Sequence, residues 1–239
     1  MAFQSLNKLF FDRAEQYSEK PFLWAKKNKE WSSLSWKETS LKVKEFAGGL
    51  KSFGIKSGDK VVIVSENRPE WIIADLAINL IGAVTVPAYT TNTEDDHHYI
   101  LEHSDAKAVI ASNNILANRV ALATTRTKLC KILITLDNYS GFEPDNLKII
   151  NFNEVSDFGK NNIETALDHL NQIQSDDVSC IIYTSGTGGR PKGVMLTHRN
   201  IFSNLQGAED LLEIIGKKDN KYLSLIPLSH SYEHTAGLY

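Results

Sequence analysis

Apolar side chains recur along the chain with two different periods. Where they return every third or fourth residue they form one face of a helix, and short unbroken apolar runs between those segments are typical of buried strands. The predicted helices cover residues 6–17, 36–53, 70–81, 94–103 and 114–124. The predicted strands cover residues 22–25, 31–34, 61–64, 83–86, 108–111, 131–136 and 178–183, with a hairpin between the first two. Repeated strand–helix–strand units predict an α/β fold in which a parallel sheet is flanked by helices.

The longest apolar stretch, residues 71–89, is the one candidate for a membrane span. Asp75 and Asn79 interrupt it, and Gly82 and Pro87 would break a helix at its far end. We interpret it as a buried helix followed by a buried strand. No transmembrane segment is predicted, and peripheral membrane contact is left open. The amino terminus lacks the charged and apolar regions of a signal peptide.

The composition is that of a soluble globular protein, with 42% hydrophobic and 23% charged residues in a chain of 239. A net charge of −3 and scattered lysines leave no basic surface for a nucleic-acid backbone, so no nucleic-acid partner is expected. Cys130 and Cys180 lie far apart and form no CxxC pair. We expect two buried, reduced thiols and a cytoplasmic location.

Two groups of histidines are considered as metal ligands. His97, His98 and His103 lie among acidic residues, but no two of them are three or four positions apart, so we expect them on a solvated helix surface. His230 and His234, with Glu233, match the pattern His-x-x-Glu-His, in which two histidines hold zinc and the glutamate activates water. That pattern needs a helix and a third ligand, so zinc peptidase activity remains a minor alternative.

A glycine-rich segment follows the last predicted strand. Its glycines, Gly193 included, allow positive φ and a close approach of backbone N–H groups to an anion, while its hydroxyl groups add donors and its lysine adds a charge. These features predict a polyphosphate-binding loop. The candidate nucleotide-binding residues are Thr184, Ser185, Gly186, Thr187, Gly188, Gly189 and Lys192.

The spacing excludes two better-known phosphate loops. A Walker A loop carries a hydroxyl residue after its lysine, whereas Gly193 follows Lys192 here, so no hydroxyl is placed to hold Mg²⁺. The dinucleotide-binding pattern needs a third glycine where Pro191 stands. The alternative without function is a plain glycine-rich hairpin between two strands.

The segment at residues 183–194 reads Tyr-Thr-Ser-Gly-Thr-Gly-Gly-Arg-Pro-Lys-Gly-Val. It resembles the signature Tyr-Thr-Ser-Gly-Thr-Thr-Gly-x-Pro-Lys-Gly-Val of the AMP-forming acyl-adenylate synthetases, the superfamily of acyl-CoA synthetases, luciferases and peptide-synthetase adenylation domains. Gly188 stands where a second threonine is most common. Residues 34–39, 58–64 and 77–89 resemble further family segments. Residues 225–234 resemble the loop beside the acyl group in the long-chain fatty acyl-CoA branch.

The resemblance implies that residues 1–239 are the N-terminal part of an AMP-binding domain, incomplete and without the small C-terminal domain. It implies ATP-dependent activation of a fatty acid, of long chain by the branch it resembles, to acyl-AMP and then acyl-CoA, with ATP, Mg²⁺ and coenzyme A. His230 would line the pocket near the substrate carboxylate. Oligomeric state and exact chain length are not indicated.

In the family, the residues that bind adenine and ribose, the glutamate associated with Mg²⁺ and the catalytic lysine all correspond to positions beyond Tyr239, the last residue of the sequence. No catalytic residue is therefore assigned here. We expect the isolated chain to be inactive, and a non-catalytic fragment or accessory module is the alternative. Apolar surface at residues 178–183, 194–196 and 222–228 is expected to be partly exposed.

Overall fold

The structure, a computed structural model, describes residues 4–184, 189–215 and 221–237. Its strands are β1 (Pro21–Lys27), β2 (Glu30–Ser35), β3 (Lys60–Val64), β4 (Val84–Ala88), β5 (Ala106–Ala111), β6 (Ile132–Thr135), β7 (Lys148–Asn151), β8 (Val178–Thr184) and β9 (Lys192–Thr197). Its helices are α1 (Leu6–Tyr17), α2 (Trp36–Ser52), α3 (Pro69–Leu80), α4 (Glu94–His103), α5 (Asn114–Thr124), α6 (Phe152–Gly159), α7 (Ile163–Leu167), α8 (His198–Ile215) and α9 (Ser231–Ala236).

The strands form two sheets. β1 and β2 pair as an antiparallel hairpin, as predicted. The other seven form one sheet in the order β7-β6-β5-β3-β4-β8-β9, parallel except for the antiparallel pair of β8 and β9. The chain runs from β3 to β4 on one side and then returns to β5 on the other side of β3. The fold is therefore a doubly wound α/β sheet, and the predicted fold class is confirmed.

Helices cover both faces of the sheet, as a parallel sheet requires. Successive side chains of the central strand β3 point to opposite faces. Val61 and Ile63 belong to a buried cluster with residues of α2 and α3. Val62 and Val64 belong to a second cluster with residues of α4 and α5. The two sets of helices thus pack on opposite faces of β3.

Helices α2 and α6 approach each other backbone to backbone. A Cβ atom added at Gly159 would lie 1.7 Å from the carbonyl oxygen of Glu45, and one added at Gly49 would lie 2.0 Å from that of Val155. Because no side chain fits at either distance, these two glycines set the separation of the two helices.

The predicted helices and strands are all present, with ends that differ by at most two residues. The pattern of apolar residues missed β7, α6 and α7 because these elements are short and few polar turn residues separate them. It also missed β9, the antiparallel edge strand, and the two helices α8 and α9 that follow it. Both cysteines are free and buried, as expected. No helix in the described part of the chain is long and apolar enough to cross a membrane.

Three sequence expectations are wrong. Gly193 lies inside β9 without a positive φ, and its missing Cβ instead makes room for Ile181. His97 is buried rather than solvated. Ser179 to Tyr183 are buried because β4 and β9 flank β8 and because α1 and α8 contribute to the cluster around Cys180.

The remaining expected apolar surface is largely confirmed. Met195 is 65% exposed and Leu225 is 79% exposed, whereas Leu228, at 2%, is buried. The exposed side chains lie on the edge strand β9 and on the segment before α9. These are the places where additional protein could pack against the fold.

Candidate functional site

The candidate phosphate loop joins the two strands of an antiparallel hairpin. Thr184, the last residue of β8, pairs with Lys192, the first residue of β9. The loop therefore leaves from Thr184 and returns at Lys192, which places the hydroxyl residue and the lysine on neighbouring strands at its base. Gly189 has a φ of +131°, so its predicted left-handed backbone is confirmed. The predicted residues Ser185, Gly186, Thr187 and Gly188 lie outside the described residues.

A cavity of about 410 Å³ opens beside this hairpin, at the carboxyl ends of β4 and β8. Ligands of open α/β sheets bind outside the carboxyl ends of the strands. One part of the wall is apolar and the other is polar. The lining residues are Pro87, Ala88, Tyr89, Asn92, Asp96, Tyr99, Ile100, Ile182, Tyr183, Thr184, Pro191, His230 and Ser231.

The first turn of α4 supplies the acidic group of the polar wall. The Thr93 hydroxyl accepts a hydrogen bond from the backbone N–H of Asp96, and the Asp96 carboxylate accepts one from the N–H of Thr93 at 2.9 Å. This capping box lowers the pKa of Asp96, chiefly through the backbone N–H of Thr93, so Asp96 is ionised at neutral pH. The Arg119 guanidinium donates to the carbonyl oxygen of Asn92 at 2.8 Å and fixes the loop that precedes the helix.

His230 is the N-cap residue of α9 and lines the cavity next to Ser231. Its Nδ1 accepts a hydrogen bond from the backbone N–H of Tyr232 at 3.2 Å. A neutral imidazole that accepts at Nδ1 carries its proton on Nε2. His230 therefore has a donor to offer to an oxygen of a ligand.

Two contacts hold the segment that carries His230, and the second of them is buried. Asn67 donates to the carbonyl oxygen of Ile226 at 2.7 Å and accepts from the N–H of Leu228 at 2.8 Å. Beyond His230, the Nε2 of His234 lies 3.2 Å from a carboxylate oxygen of Asp75. Both contacts join this segment to α3 or to the loop before it, and so to the edge of the cavity.

The pair of Asp75 and His234 is fully buried. Burial by itself lowers the pKa of His234, but the Asp75 carboxylate, with a further contribution from Cys180, outweighs it and raises that pKa to about 10. The histidine is therefore a cation at neutral pH, and the pair is a buried ion pair.

The zinc hypothesis does not fit this arrangement. His234 is committed to Asp75, and Glu233 accepts a hydrogen bond from the Tyr222 hydroxyl at 2.8 Å. His230 caps the helix from the position before its first residue instead of lying on its face. Within residues 4–184, 189–215 and 221–237, no three potential metal-ligating side chains come together.

Sequence reasoning found Thr184 and His230 of the cavity wall but missed Tyr89, Asp96 and Tyr99. A signal was available for Tyr89, since it lies three residues beyond the predicted strand 83–86 and directly follows β4 in the structure. The other two follow only from knowing that α4 packs beside β8. Lys192 lies at the base of the hairpin but does not line the cavity.

The sequence assigned no catalytic residue, because the resemblance places the family's catalytic lysine and its Mg²⁺-associated glutamate at positions beyond Tyr239. Tyr239 itself lies outside the described residues, the last of which is residue 237. The location of those two catalytic groups relative to the cavity therefore stays a prediction. Of the residues predicted to bind nucleotide or substrate, the structure brings Thr184 and His230 to the cavity.

Comparison with known proteins gives a consistent assignment. A family model described as AMP-binding enzyme matches residues 10–239. The long-chain-fatty-acid–CoA ligase FadD15 of Mycobacterium tuberculosis is 32% identical over 201 residues, which are 84% of this chain and 32% of that protein. The chloroplastic long-chain-fatty-acid–[acyl-carrier-protein] ligase AEE15 of Arabidopsis thaliana is 29% identical, over 93% of this chain and 32% of that protein.

A solved structure shares the fold. The crystal structure of a long-chain-fatty-acid-CoA ligase (FadD1) from Archaeoglobus fulgidus superposes with a TM-score of 0.75 at 22% identity, covering 98% of this chain and 45% of that one. The chain spans about a third of the length of the curated relatives it matches.

Proposed function

Because the chain belongs to the family of AMP-binding enzymes, we propose that the complete protein activates a fatty acid with ATP and transfers the acyl group to coenzyme A. A carboxylate oxygen of the acid attacks the α-phosphorus of ATP, the bond to the β-phosphate oxygen breaks, and pyrophosphate leaves. The thiol of coenzyme A then attacks the acyl carbon, AMP leaves, and the thiol proton passes to solvent. The names of the relatives support a fatty acid as the substrate.

The observation that carries the proposal is the base of the β8–β9 hairpin, where Thr184, which lines the cavity, is paired with Lys192. Displacement at an anionic phosphate depends on positioning and on neutralising charge more than on covalent help from the protein. The Lys192 ammonium is a cation at the end of a flexible stem. It would balance the charge that develops on the departing pyrophosphate.

The cavity suits the carboxyl end of a fatty acid. Ala88, Ile100 and Ile182 provide an apolar wall, and the Nε2 proton of His230 provides a donor for a carboxylate oxygen. Asp96 repels anions, so the carboxylate would bind at His230 and the phosphates at the hairpin, both away from Asp96. The acid and the nucleotide would thus approach each other at Thr184.

Magnesium accompanies ATP in this family. Among the described residues no group of three or more candidate ligands converges, and Asp96 stands as a single carboxylate in the cavity. These residues do not form a magnesium site, so no step proposed here passes through the ion.

We propose that the chain is the N-terminal part of the AMP-binding domain and that it is inactive without the remainder. The exposed apolar side chains of Met195 and Leu225 support this, because additional protein packed there would remove them from water. A cytoplasmic location is proposed from the two buried thiols, although the name of one relative places that protein in the chloroplast.

The test is ATP–pyrophosphate exchange by the complete protein with and without a long-chain fatty acid. We expect exchange that requires the fatty acid and that falls about 10²–10³-fold in Lys192→Ala, the loss typical of one charge-stabilising donor. Lys56→Ala is the matched control, because Lys56 is exposed before β3 at the opposite end of the sheet. Absence of exchange in the wild type, or full exchange in folded Lys192→Ala, contradicts the proposal.

A further inference from the structure

Helix α4 contacts both arms of the β8–β9 hairpin through one side chain. The Tyr99 hydroxyl donates a hydrogen bond to the carbonyl oxygen of Pro191 at 2.9 Å. Pro191 is the residue before Lys192, on the returning arm. The ring of Tyr99 lies edge to face with that of Tyr183, with centroids 6.1 Å apart, and Tyr183 is the residue before Thr184 on the outgoing arm.

Two neighbours complete this contact. One turn further along α4, Nδ1 of His103 lies 2.8 Å from the Tyr183 hydroxyl oxygen. The guanidinium of Arg190 lies over the Tyr99 ring, 5.4 Å from its centroid. The side chain of Tyr99 therefore connects α4 to both ends of the candidate phosphate loop.

The returning arm needs such support because β9, among the described strands, has a partner strand on one side alone. It pairs with β8 on one side, and its Met195 side chain is 65% exposed. The pairing with β8 fixes the register of Lys192 opposite Thr184. The pairing leaves the direction of the returning arm relative to β8 free to vary, and the hydrogen bond from Tyr99 to the adjacent Pro191 restrains that direction.

We propose that Tyr99 is a positioning residue, which holds the returning arm of the hairpin so that Lys192 faces the phosphates of ATP. The inference rests on the proposed function of the hairpin. It assigns the hydroxyl of Tyr99 to the loop and the ring of Tyr99 to the cavity wall. The two parts of this side chain can therefore be tested separately.

Tyr99→Phe keeps the ring and removes the hydrogen bond. Loss of one neutral hydrogen bond predicts an ATP dissociation constant about five-fold higher, measured with the complete protein by equilibrium dialysis. The KM for the fatty acid should not change, because the ring still lines the cavity. Amide hydrogen exchange in a peptide that spans residues 184–192 should be faster than in the wild type.

Tyr139→Phe is a matched control. The Tyr139 hydroxyl also donates to a loop carbonyl oxygen, that of Phe142 at 2.6 Å, but it lies after β6 on the other half of the sheet. Its removal should leave ATP binding and exchange at residues 184–192 unchanged. If Tyr99→Phe and Tyr139→Phe have the same melting temperature, a difference between them in ATP binding is a local effect and not a loss of stability.

Two results overturn the inference. One is ATP binding by Tyr99→Phe equal to that of Tyr139→Phe, and the other is a change confined to the KM for the fatty acid, which would place the hydroxyl on the acid. A wild-type protein that binds no ATP contradicts the proposed function itself. ATP binding by the wild type therefore distinguishes a failure of this inference from a failure of the proposed function.

Discussion

The ion pair of Asp75 and His234 should contribute more to stability than any ion pair on the surface of the described chain. The two side chains are 0% and 1% exposed, and they join α3 to α9 across 159 positions of sequence. The Trp71 ring lies edge to face with His234, with centroids 5.4 Å apart, and packs against the pair. Asp75→Asn removes the negative charge and keeps the shape of the side chain.

The expected cost follows from burial. Removing one partner of a buried ion pair destabilises a protein by about 3–5 kcal/mol, because the other charge is left without compensation. His234 can relieve part of this cost by releasing its proton, which places Asp75→Asn at about 3 kcal/mol. For a chain of this length that corresponds to a fall in melting temperature of roughly 6–12 °C.

The pH dependence gives a second, independent test. The pKa of His234 is raised from its usual 6.5 to about 10 in the fold. The stabilisation is therefore fully present below about pH 6.5 and is lost as the pH rises towards 10. Asp75→Asn lacks the partner that raises the pKa, so the difference in stability between wild type and variant should shrink across this range.

The assay is urea unfolding followed by tryptophan fluorescence at pH 6, 8 and 10. Asp12→Asn is the control, because Asp12 pairs with Lys8 on the surface of α1 and its loss should cost less than about 1 kcal/mol. If Asp75→Asn unfolds within 1 kcal/mol of the wild type at pH 6, or if the difference does not shrink by pH 10, the assignment of a buried ion pair is wrong.

Three further predictions concern single side chains. Gly159→Ala should lower the free energy of unfolding in urea by about 3 kcal/mol, because the new Cβ would lie 1.7 Å from the backbone of Glu45. Gly207→Ala, with nothing within 4 Å of the new Cβ, should stabilise α8 by about 0.5–1 kcal/mol. Equal effects of the two substitutions would contradict the close packing of α2 and α6. His230→Ala should raise the KM for the fatty acid about ten-fold and leave ATP binding unchanged, and an unchanged KM in steady-state kinetics removes His230 from the acid site. Gly189→Ala should weaken ATP binding in a dialysis assay, since its φ of +131° strains any other residue, and wild-type affinity there would show that this backbone conformation is not needed.

The sequence predicts most of the local elements, because their apolar residues follow the period of a helix or a strand, but it missed α8, the longest helix. Even the burial of His97, which we placed on the surface, was available from the pattern. His97 lies three and four positions before Ile100 and Leu101, which are buried on the same face of α4. We gave more weight to the acidic residues next to His97 than to that spacing. Desolvation lowers the pKa of His97 to about 4, so the ring is neutral and stays buried.

The cavity could not be predicted in the same way. It exists because β4 and β8, which are distant in sequence, are neighbours in the sheet and because α4 packs next to both. Thr184 and Lys192 were found from the local sequence, and His230 from the resemblance to the family. Their relation to Tyr89, Asp96 and Tyr99 depends on strand order, which the local pattern does not encode.

The central claim is that a carboxylate oxygen attacks the α-phosphate of ATP, and isotope transfer tests it most directly. The complete protein is incubated with ATP, coenzyme A and a fatty acid labelled with ¹⁸O in both carboxyl oxygens, and the products are examined by mass spectrometry. The proposed function predicts one ¹⁸O atom in each AMP formed and one in each acyl-CoA. Unlabelled AMP, or ADP and phosphate in place of AMP and pyrophosphate, would contradict it.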